Sequence, residues 1–347
     1  MTTHFSCPIP VTTHTQILLG HGSGGTLMNQ LLEKHIFSRF RNSMIQERHD
    51  GAMLPVQTGT LAFSTDSYVV HPLIFPGGTI GDLAVNGTVN DLAMCGAIPR
   101  YLSLAFIIEE GLPLSTFEVI LESIATSAAA AGVEIVTGDT KVVERGKGDG
   151  LFINTSGIGT IPTGISIRPA NIRPGDQILV NGPVAAHGMA IMAVRDGLEF
   201  DAPILSDSRP LNGLVQAMLA ADPTIRVMRD ATRGGLSSAL NELATACSHT
   251  IRIRETDIPI DEPVAAACEL LGFDPLYVAN EGVFVSFVAA ETAQKVLQVM
   301  RNHPAGERAA IIGEVTSEAT PRVIMKTRIG SNRVVDMLAG DQLPRIC

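Results

Sequence analysis

The stretch Pro162-Thr163-Gly164-Ile165-Ser166-Ile167-Arg168-Pro169-Ala170-Asn171-Ile172-Arg173-Pro174-Gly175 divides the 347-residue chain into two halves. Its three prolines interrupt both helices and strands, and they mark a domain boundary. Alternating strand and helix patterns precede this stretch, and the same kind of pattern restarts with a strand predicted over 177–180. Each half has about the length of an ordinary domain. The sequence therefore predicts an α/β (α+β) protein that is built of two mixed α/β domains.

The composition of the two ends sets the outer boundaries of these domains. Residues 1–16 are polar and contain Pro and Thr, which predicts a mobile N-terminal extension. The last dozen residues follow a predicted hairpin and resemble an arm. We therefore expect an N-terminal domain over 17–165, a C-terminal domain over 166–334 and a flexible tail over 335–347.

Charge and cysteine content exclude several classes of protein. The formal net charge is −10 and Lys and Arg form no runs, so nucleic-acid binding is not expected. The N-terminus lacks the features of a signal peptide, and no apolar run reaches the ~18 residues of a membrane span. Five cysteines without a CxxC pair predict reduced thiols in the cytoplasm rather than a disulfide framework or a zinc ribbon.

Acidic residues lie beside Gly or Thr in four segments at predicted strand ends or helix starts. Such carboxylates suit Mg²⁺, which prefers oxygen ligands and keeps water and phosphate in its shell. Any one of them is equally typical of an ordinary turn or N-cap, but four in one chain favour nucleotide and metal chemistry. The segments are Ser64-Thr65-Asp66-Ser67, Val89-Asn90-Asp91-Leu92, Thr137-Gly138-Asp139-Thr140-Lys141 and Met228-Arg229-Asp230-Ala231-Thr232-Arg233-Gly234-Gly235.

The predicted helix over 79–95 carries Asp91 on a face of small residues. Ala84, Gly87, Thr88, Asp91 and Cys95 share that face at helical spacing. A ligand can approach Asp91 closely there, although tight packing of the helix on a sheet explains the same stripe.

The remaining candidates have weaker signals. The loop 20–25 is not a Walker A motif, so a phosphate lid and a flexible loop both stay open. Lys141 and Glu281 fit surface charges as well as active groups. The histidines form no HExxH motif and no GxSxG elbow is present, which leaves zinc and serine-hydrolase catalysis without support.

The terminal Cys347 has two interpretations. A thiol on a flexible end can carry a group between proteins, but chain termini also tolerate almost any residue.

Taken in order, the motifs resemble those of one family over nearly the whole chain. This is the HypE family of hydrogenase maturation proteins, the carbamoyl dehydratases, which is related to aminoimidazole ribonucleotide synthetase, selenophosphate synthetase and thiamine-monophosphate kinase. The terminal Pro-Arg-Ile-Cys separates HypE from these relatives. The matching pieces are His21-Gly22-Ser23-Gly24-Gly25, Phe63-Ser64-Thr65-Asp66-Ser67, Asn90-Asp91-Leu92-Ala93, Val136-Thr137-Gly138-Asp139-Thr140-Lys141-Val142-Val143, Arg229-Asp230-Ala231-Thr232-Arg233-Gly234-Gly235, Asn280-Glu281-Gly282 and Pro344-Arg345-Ile346-Cys347.

The resemblance implies a homodimer whose two N-terminal sheets form a β-barrel at the interface. It also implies ATP and Mg²⁺ in a cleft between the domains, with Asp66, Asp91 and Asp230 holding the metal and with Asp82 and Asp139 as helpers. The residues that it implies for the cofactors together are Gly22, Ser23, Gly24, Gly25, Asp66, Asp91, Asp139, Thr140 and Asp230.

The resemblance further implies a reaction on the tail. The carbamoyltransferase HypF is expected to carbamoylate Cys347, and ATP is then used to dehydrate the thiocarboxamide to a thiocyanate. The cyanide passes to iron on the HypC–HypD complex. The chemistry of this reaction suits Glu281 as the base, and it suits Lys141 either for neutralising phosphate charge or for assisting proton transfer. A small-molecule kinase, a selenophosphate synthetase-like enzyme and a nucleotide-gated docking scaffold remain alternatives.

Overall fold

The computed structural model describes residues 14–22, 26–46, 52, 54, 59–195, 197 and 203–338. Ser23, Gly24, Gly25 and Cys347 therefore lie outside the described residues, as do most of the predicted extension and tail. The domain boundaries expected at 165/166 and 334/335 stay predictions.

The N-terminal half contains a four-stranded sheet with two helices on one face. In sheet order the strands are β1, β6, β4 and β5, and neighbours are antiparallel except for β4 and β5. The elements of this half are α1 (Thr26–Leu31), α2 (Ser43–Gln46), β1 (Thr60–Tyr68), β2 (Ile74–Phe75), β3 (Gly78–Thr79), α3 (Ile80–Met94), β4 (Ile98–Glu109), α4 (Leu114–Ala131), β5 (Glu134–Val143) and β6 (Leu151–Ile161).

The core of this half lies between the sheet and the two long helices. Strand β4 alternates, so Leu104 and Phe106 face the helices, where Phe117 packs edge-on against Phe106. Helix α4 is long and apolar enough, by length and composition, to cross a membrane, but Phe117, Ile120 and Ile124 place one of its faces in this core.

The C-terminal half contains a seven-stranded sheet. Its order is β13, β12, β9, β11, β7, β10 and β8, and only the pair β12–β9 is parallel. The elements are β7 (Gln177–Val180), α5 (Ala186–Arg195), α6 (Asn212–Ala221), β8 (Val227–Asp230), α7 (Gly235–Cys247), β9 (Thr250–Arg254), α8 (Glu262–Leu271), β10 (Phe284–Val288), α9 (Ala290–Arg301), β11 (Ala310–Val315), β12 (Arg322–Lys326) and β13 (Asn332–Val335).

Helix α3 joins the two halves. Ala93 and Met94 pack into a cluster of the C-terminal half that includes Leu214 and Met218 of α6. The Asn90 side chain donates to the Arg209 carbonyl oxygen at 3.1 Å, and its Oδ1 accepts from the Leu211 amide at 2.8 Å. The helix that carries Asp91 is therefore held from both sides.

The structure confirms most predicted elements and corrects others, among them the loop predicted over 41–58, in which α2 forms. The helix over 79–95 forms with Thr79 as its N-cap, and the terminal hairpin forms from β12 and β13. Ser115 is a residue type that the local sequence favours as an N-cap, but α4 begins at Leu114 with Pro113 as N-cap and without a side-chain hydrogen bond at the cap. The local pattern predicts only a short strand over 133–136, but β5 continues through Val143 because β4 pairs with it along its whole length.

Candidate functional site

Four of the predicted site carboxylates line one pocket between the two halves. Asp66 comes from β1, Asp91 from the last turn of α3, Asp230 from the end of β8 and Glu281 from the loop before β10. The antiparallel pairing of β8 with β10 places Asp230 opposite Phe284, which is three residues beyond Glu281. The remaining lining residues are Ser67, Tyr68, Gly87, Thr232 and Arg233.

Asp91 and Asp230 form a coupled acidic pair. Ser64 Oγ donates to Asp91 Oδ2 at 2.7 Å, and the two aspartates share a hydrogen bond. Burial raises the pKa of Asp91, and burial together with the charge of Asp91 raises the pKa of Asp230 to about 7. The pair therefore holds a proton that a free aspartate would release.

This arrangement fits a divalent cation that is held jointly with phosphate. Within the described ranges, no group of three or more His, Cys, Asp or Glu side chains forms a ready-made metal cage. Mg²⁺ rarely needs one, because it usually takes one or two carboxylates and completes its shell with water and substrate phosphates. The half-buried oxygens of Asp91 and Asp230, with Asp66 beside them in the pocket, supply that kind of donor set.

The backbone around Glu281 is fixed by buried hydrogen bonds. Its amide donates to Asp207 Oδ1 at 3.0 Å, and its carbonyl oxygen accepts from Asn90 Nδ2 at 3.3 Å. Glu281 itself is only 5% exposed. The Asn280 amide group donates to the Ala231 carbonyl oxygen at 2.7 Å, which ties this loop to the residue after Asp230.

Sequence reasoning missed these three supporting residues. Asn90 and Asn280 directly precede Asp91 and Glu281, so the motifs contained a signal for them. Asp207 belongs to no motif, because it acts by accepting from the Glu281 amide across 74 residues of chain.

Tyr68 is a further pocket residue that the motifs did not indicate. It is 2% exposed, and its hydroxyl makes a 3.4 Å contact with Thr88 Oγ1. Burial raises the pKa of the Tyr68 phenol well above its usual range, and the charge of Asp66 adds to this effect. The phenol is therefore neutral at physiological pH.

A second group of predicted site residues lies on and against β5. Gly22 packs against Val142, where an added Cβ would lie 2.8 Å from the Val142 amide nitrogen. Lys141 Nζ lies 2.8 Å from Asp139 Oδ2, and both side chains are mostly exposed. The hydrogen bond from Lys141 lowers the pKa of Asp139. The Thr140 side chain points inward and is buried.

The two groups stand at opposite edges of the N-terminal sheet. Strands β6 and β4 lie between β1 and β5, which corresponds to about 14 Å at the usual strand spacing of ~4.8 Å. Lys141 and Asp139 are therefore separated from the carboxylate pocket of their own chain.

Asp82 is also outside the pocket, although it was expected as a helper to the metal site. It is the N3 residue of a capping box, in which its Oδ2 accepts from the Thr79 amide at 2.5 Å and from Ser123 Oγ at 3.0 Å. Asp82 and Asp91 are nine positions apart in α3, which is about 13 Å along the helix axis. Burial raises the pKa of Asp82.

The described end of the chain lies beside the pocket. Ser237 Oγ donates to the Asp336 carbonyl oxygen at 2.6 Å, and Asn241 Nδ2 donates to the Val335 carbonyl oxygen at 2.9 Å. Leu338 Cβ lies 3.7 Å from where a Cβ on Gly234 would stand, at the start of α7. The tail therefore departs next to Thr232 and Arg233, which line the pocket.

Family models match most of the chain. Residues 48–161 match the N-terminal domain of AIR synthase related proteins, and residues 173–326 match the C-terminal domain of the same proteins.

Relatives of known name match it nearly end to end. The carbamoyl dehydratase HypE of Azotobacter vinelandii is 52% identical over 327 residues, which is 94% of this chain and 96% of that protein. A crystal structure of hydrogenase maturation protein HypE in complex with ATP superposes with a TM-score of 0.92 at 46% identity, covering 95% of this chain and 99% of the other. A crystal structure of a HypE–HypF complex matches with a TM-score of 0.78 at 45% identity, covering 89% and 99%.

Proposed function

Because this chain belongs to the carbamoyl dehydratase HypE family of AIR synthase related proteins, we propose that it converts a thiocarboxamide on Cys347 to a thiocyanate at the expense of ATP. The observation that carries the proposal is the position of Leu338 against Gly234, beside the carboxylate pocket. Residues 339–347 follow, and nine extended residues span about 30 Å. That length suffices for the terminal thiol to reach the pocket or a partner protein.

The chemistry needs a better leaving group than the amide oxygen. Transfer of the γ-phosphoryl group to the carbamoyl oxygen breaks the bond to ADP and makes that oxygen part of a phosphate ester. Loss of phosphate and of both N–H protons then leaves the C≡N group on sulfur. We assign removal of a proton to Glu281, whose buried and fixed position lets a carboxylate act on a bound substrate.

We assign the metal and nucleotide sites to the predicted residues. Asp66, Asp91 and Asp230 would hold Mg²⁺, and the loop at Gly22–Gly25 with Asp139 and Thr140 would hold the nucleotide. Bound Mg²⁺ would supply neutralisation of phosphate charge. Held by these aspartates, the ion would offset the charge of the phosphates at the entrance of the tail, and the two halves that enclose the pocket would limit the access of water.

We further propose a homodimer in which Lys141 of one protomer serves the pocket of its partner. The face of the N-terminal sheet that lacks helices exposes Leu61, Phe63 and Ile107, which are 59%, 68% and 45% exposed. Strands β1 and β5 are its two open edges among the described strands. Two such sheets can close as an eight-stranded barrel, which removes both edges and buries that face. Closure would bring β5 of one protomer next to β1 of the other.

Partners and compartment follow from the family. The HypE–HypF structure supports HypF as the donor of the carbamoyl group, and we propose the HypC–HypD complex as the acceptor of cyanide. Cys95, Cys247 and Cys268 are free thiols, which suits the reducing cytoplasm.

The mass of the C-terminal peptide tests this function. After incubation with HypF, carbamoyl phosphate and Mg-ATP, the peptide that ends in Cys347 should gain one carbamoyl group and then lose one water. The Cys347→Ser variant should gain neither change. A wild-type peptide without an adduct contradicts the proposal, and so does an ATP-dependent activity on a free small molecule that survives deletion of residues 343–347.

A further inference from the structure

Tyr68 lines the carboxylate pocket, and its hydroxyl group lies against Gly87, which lines the same pocket. Tyr68 ends β1, and its ring belongs to the N-terminal core. A Cβ on Gly87 would lie only 2.2 Å from Tyr68 Oη, so a residue with a side chain at this position would displace the phenol. Gly87 precedes Asp91 by about one turn of α3, and both residues line the pocket. Because residue 87 is a glycine, the Tyr68 hydroxyl can pack against the face of α3 that carries Asp91.

A chain of hydroxyl groups fixes Tyr68 as a donor. Thr155 Oγ1 donates to the Ala84 carbonyl oxygen at 2.9 Å, which uses its only proton. Thr88 must then donate in the 2.6 Å contact with Thr155 Oγ1. Tyr68 is consequently the donor in its 3.4 Å contact with Thr88.

The hydrogen bond from Tyr68 to Thr88 is weak. O–H···O bonds are usually 2.5–3.0 Å long, so a contact of 3.4 Å satisfies the phenol proton poorly. The other pocket groups nearby are mainly carboxyls, which accept hydrogen bonds. A phosphate-bearing ligand brings still more acceptors, and a buried, fixed donor stabilises developing negative charge better than a solvated one.

We propose that Tyr68 is a catalytic residue, whose hydroxyl donates a hydrogen bond to the oxygen that leaves the thiocarboxamide carbon as phosphate. The proton stays on the phenol throughout, so the step adds no atoms to the reaction. Charge gathers on that oxygen as its bond to carbon breaks, and the hydrogen bond strengthens at that moment. This inference rests on the proposed dehydration and assigns one more residue to it.

The variant Tyr68→Phe tests the assignment, with Thr88→Val as the matched control. Each substitution removes one of the hydrogen-bonded hydroxyl groups and keeps nearly the same side-chain shape. Only Tyr68→Phe changes a residue that lines the pocket. Each protein is incubated with excess HypF, carbamoyl phosphate and Mg-ATP, and the terminal peptide is followed by mass against time. Thermal unfolding of each variant measures its effect on the fold.

We expect Tyr68→Phe to be carbamoylated at the wild-type rate and then to form thiocyanate about 100- to 1000-fold more slowly, as for loss of one transition-state donor. Thr88→Val should form thiocyanate within about twofold of the wild type. Equal dehydration rates in wild type and Tyr68→Phe overturn the assignment, as do equal losses in both variants. A wild type that is carbamoylated but forms no thiocyanate overturns the proposed function, and the assignment with it.

Discussion

Replacement of Asp230 by asparagine should stabilise the protein at alkaline pH while weakening its binding of Mg-ATP. The folded state raises the pKa of Asp230 from 3.8 to about 7, through burial first and the charge of Asp91 second. The folded chain therefore keeps a proton that the unfolded chain has released. The contribution of Asp230 to the free energy of unfolding is therefore fully present below about pH 4, and it is lost as the pH rises through 7.

The size of the effect follows from the same two values. At about 1.36 kcal/mol per pH unit, the whole difference amounts to roughly 4 kcal/mol above pH 8. Roughly 2 kcal/mol of it is already lost at pH 5, so roughly 2 to 3 kcal/mol remains between pH 5 and pH 8.5. Asparagine resembles the protonated acid in shape and can still donate to Asp91, but it does not ionise.

The assay is thermal unfolding at pH 5 and pH 8.5, with chelator and without nucleotide. The melting temperature of Asp230→Asn relative to wild type should rise by about 5 °C between the two pH values, at roughly 2 °C per kcal/mol for a chain of this size. Asp149→Asn changes an exposed carboxylate between β5 and β6 and serves as the control. Its melting temperature relative to wild type should be the same at both pH values. A difference in melting temperature between Asp230→Asn and wild type that is the same at both pH values, or that changes in the opposite direction, contradicts a raised pKa of Asp230.

Further predictions concern the other site residues. Glu281→Gln and Lys141→Ala should each accept the carbamoyl group on Cys347 and then accumulate it, which the mass of the terminal peptide reports; thiocyanate at the wild-type rate would remove either residue from the mechanism. Mixed dimers of these two variants should regain up to half of the activity, because one pocket then combines an intact Glu281 with an intact Lys141 of the partner, whereas action within one chain predicts no recovery. Asp66→Ala should weaken binding of Mg-ATP at least tenfold in calorimetry, and unchanged affinity would exclude Asp66 from the metal site.

Local patterns were sufficient for most of the secondary structure. The three prolines between 162 and 175 separate two α/β series, and Thr79 with Asp82 three residues later marks the start of α3. These signals work because capping and periodicity involve residues only a few positions apart. The prediction of β5 stopped too early for the same reason, since its continuation through Lys141 depends on pairing with β4.

The motifs by themselves predicted the family, which the comparisons confirm, and the kinds of chemical group in the candidate site. Only the tertiary structure decided which of those groups meet. It gathers Asp66, Asp91, Asp230 and Glu281 in one pocket, and it places Lys141 at the far edge of the sheet. Strand order is a long-range property that spacing along the chain does not encode, and the backbone bond from Glu281 to Asp207 spans 74 residues. The pKa of Asp230 likewise depends on burial against a helix from the other half of the chain, which no local pattern contains.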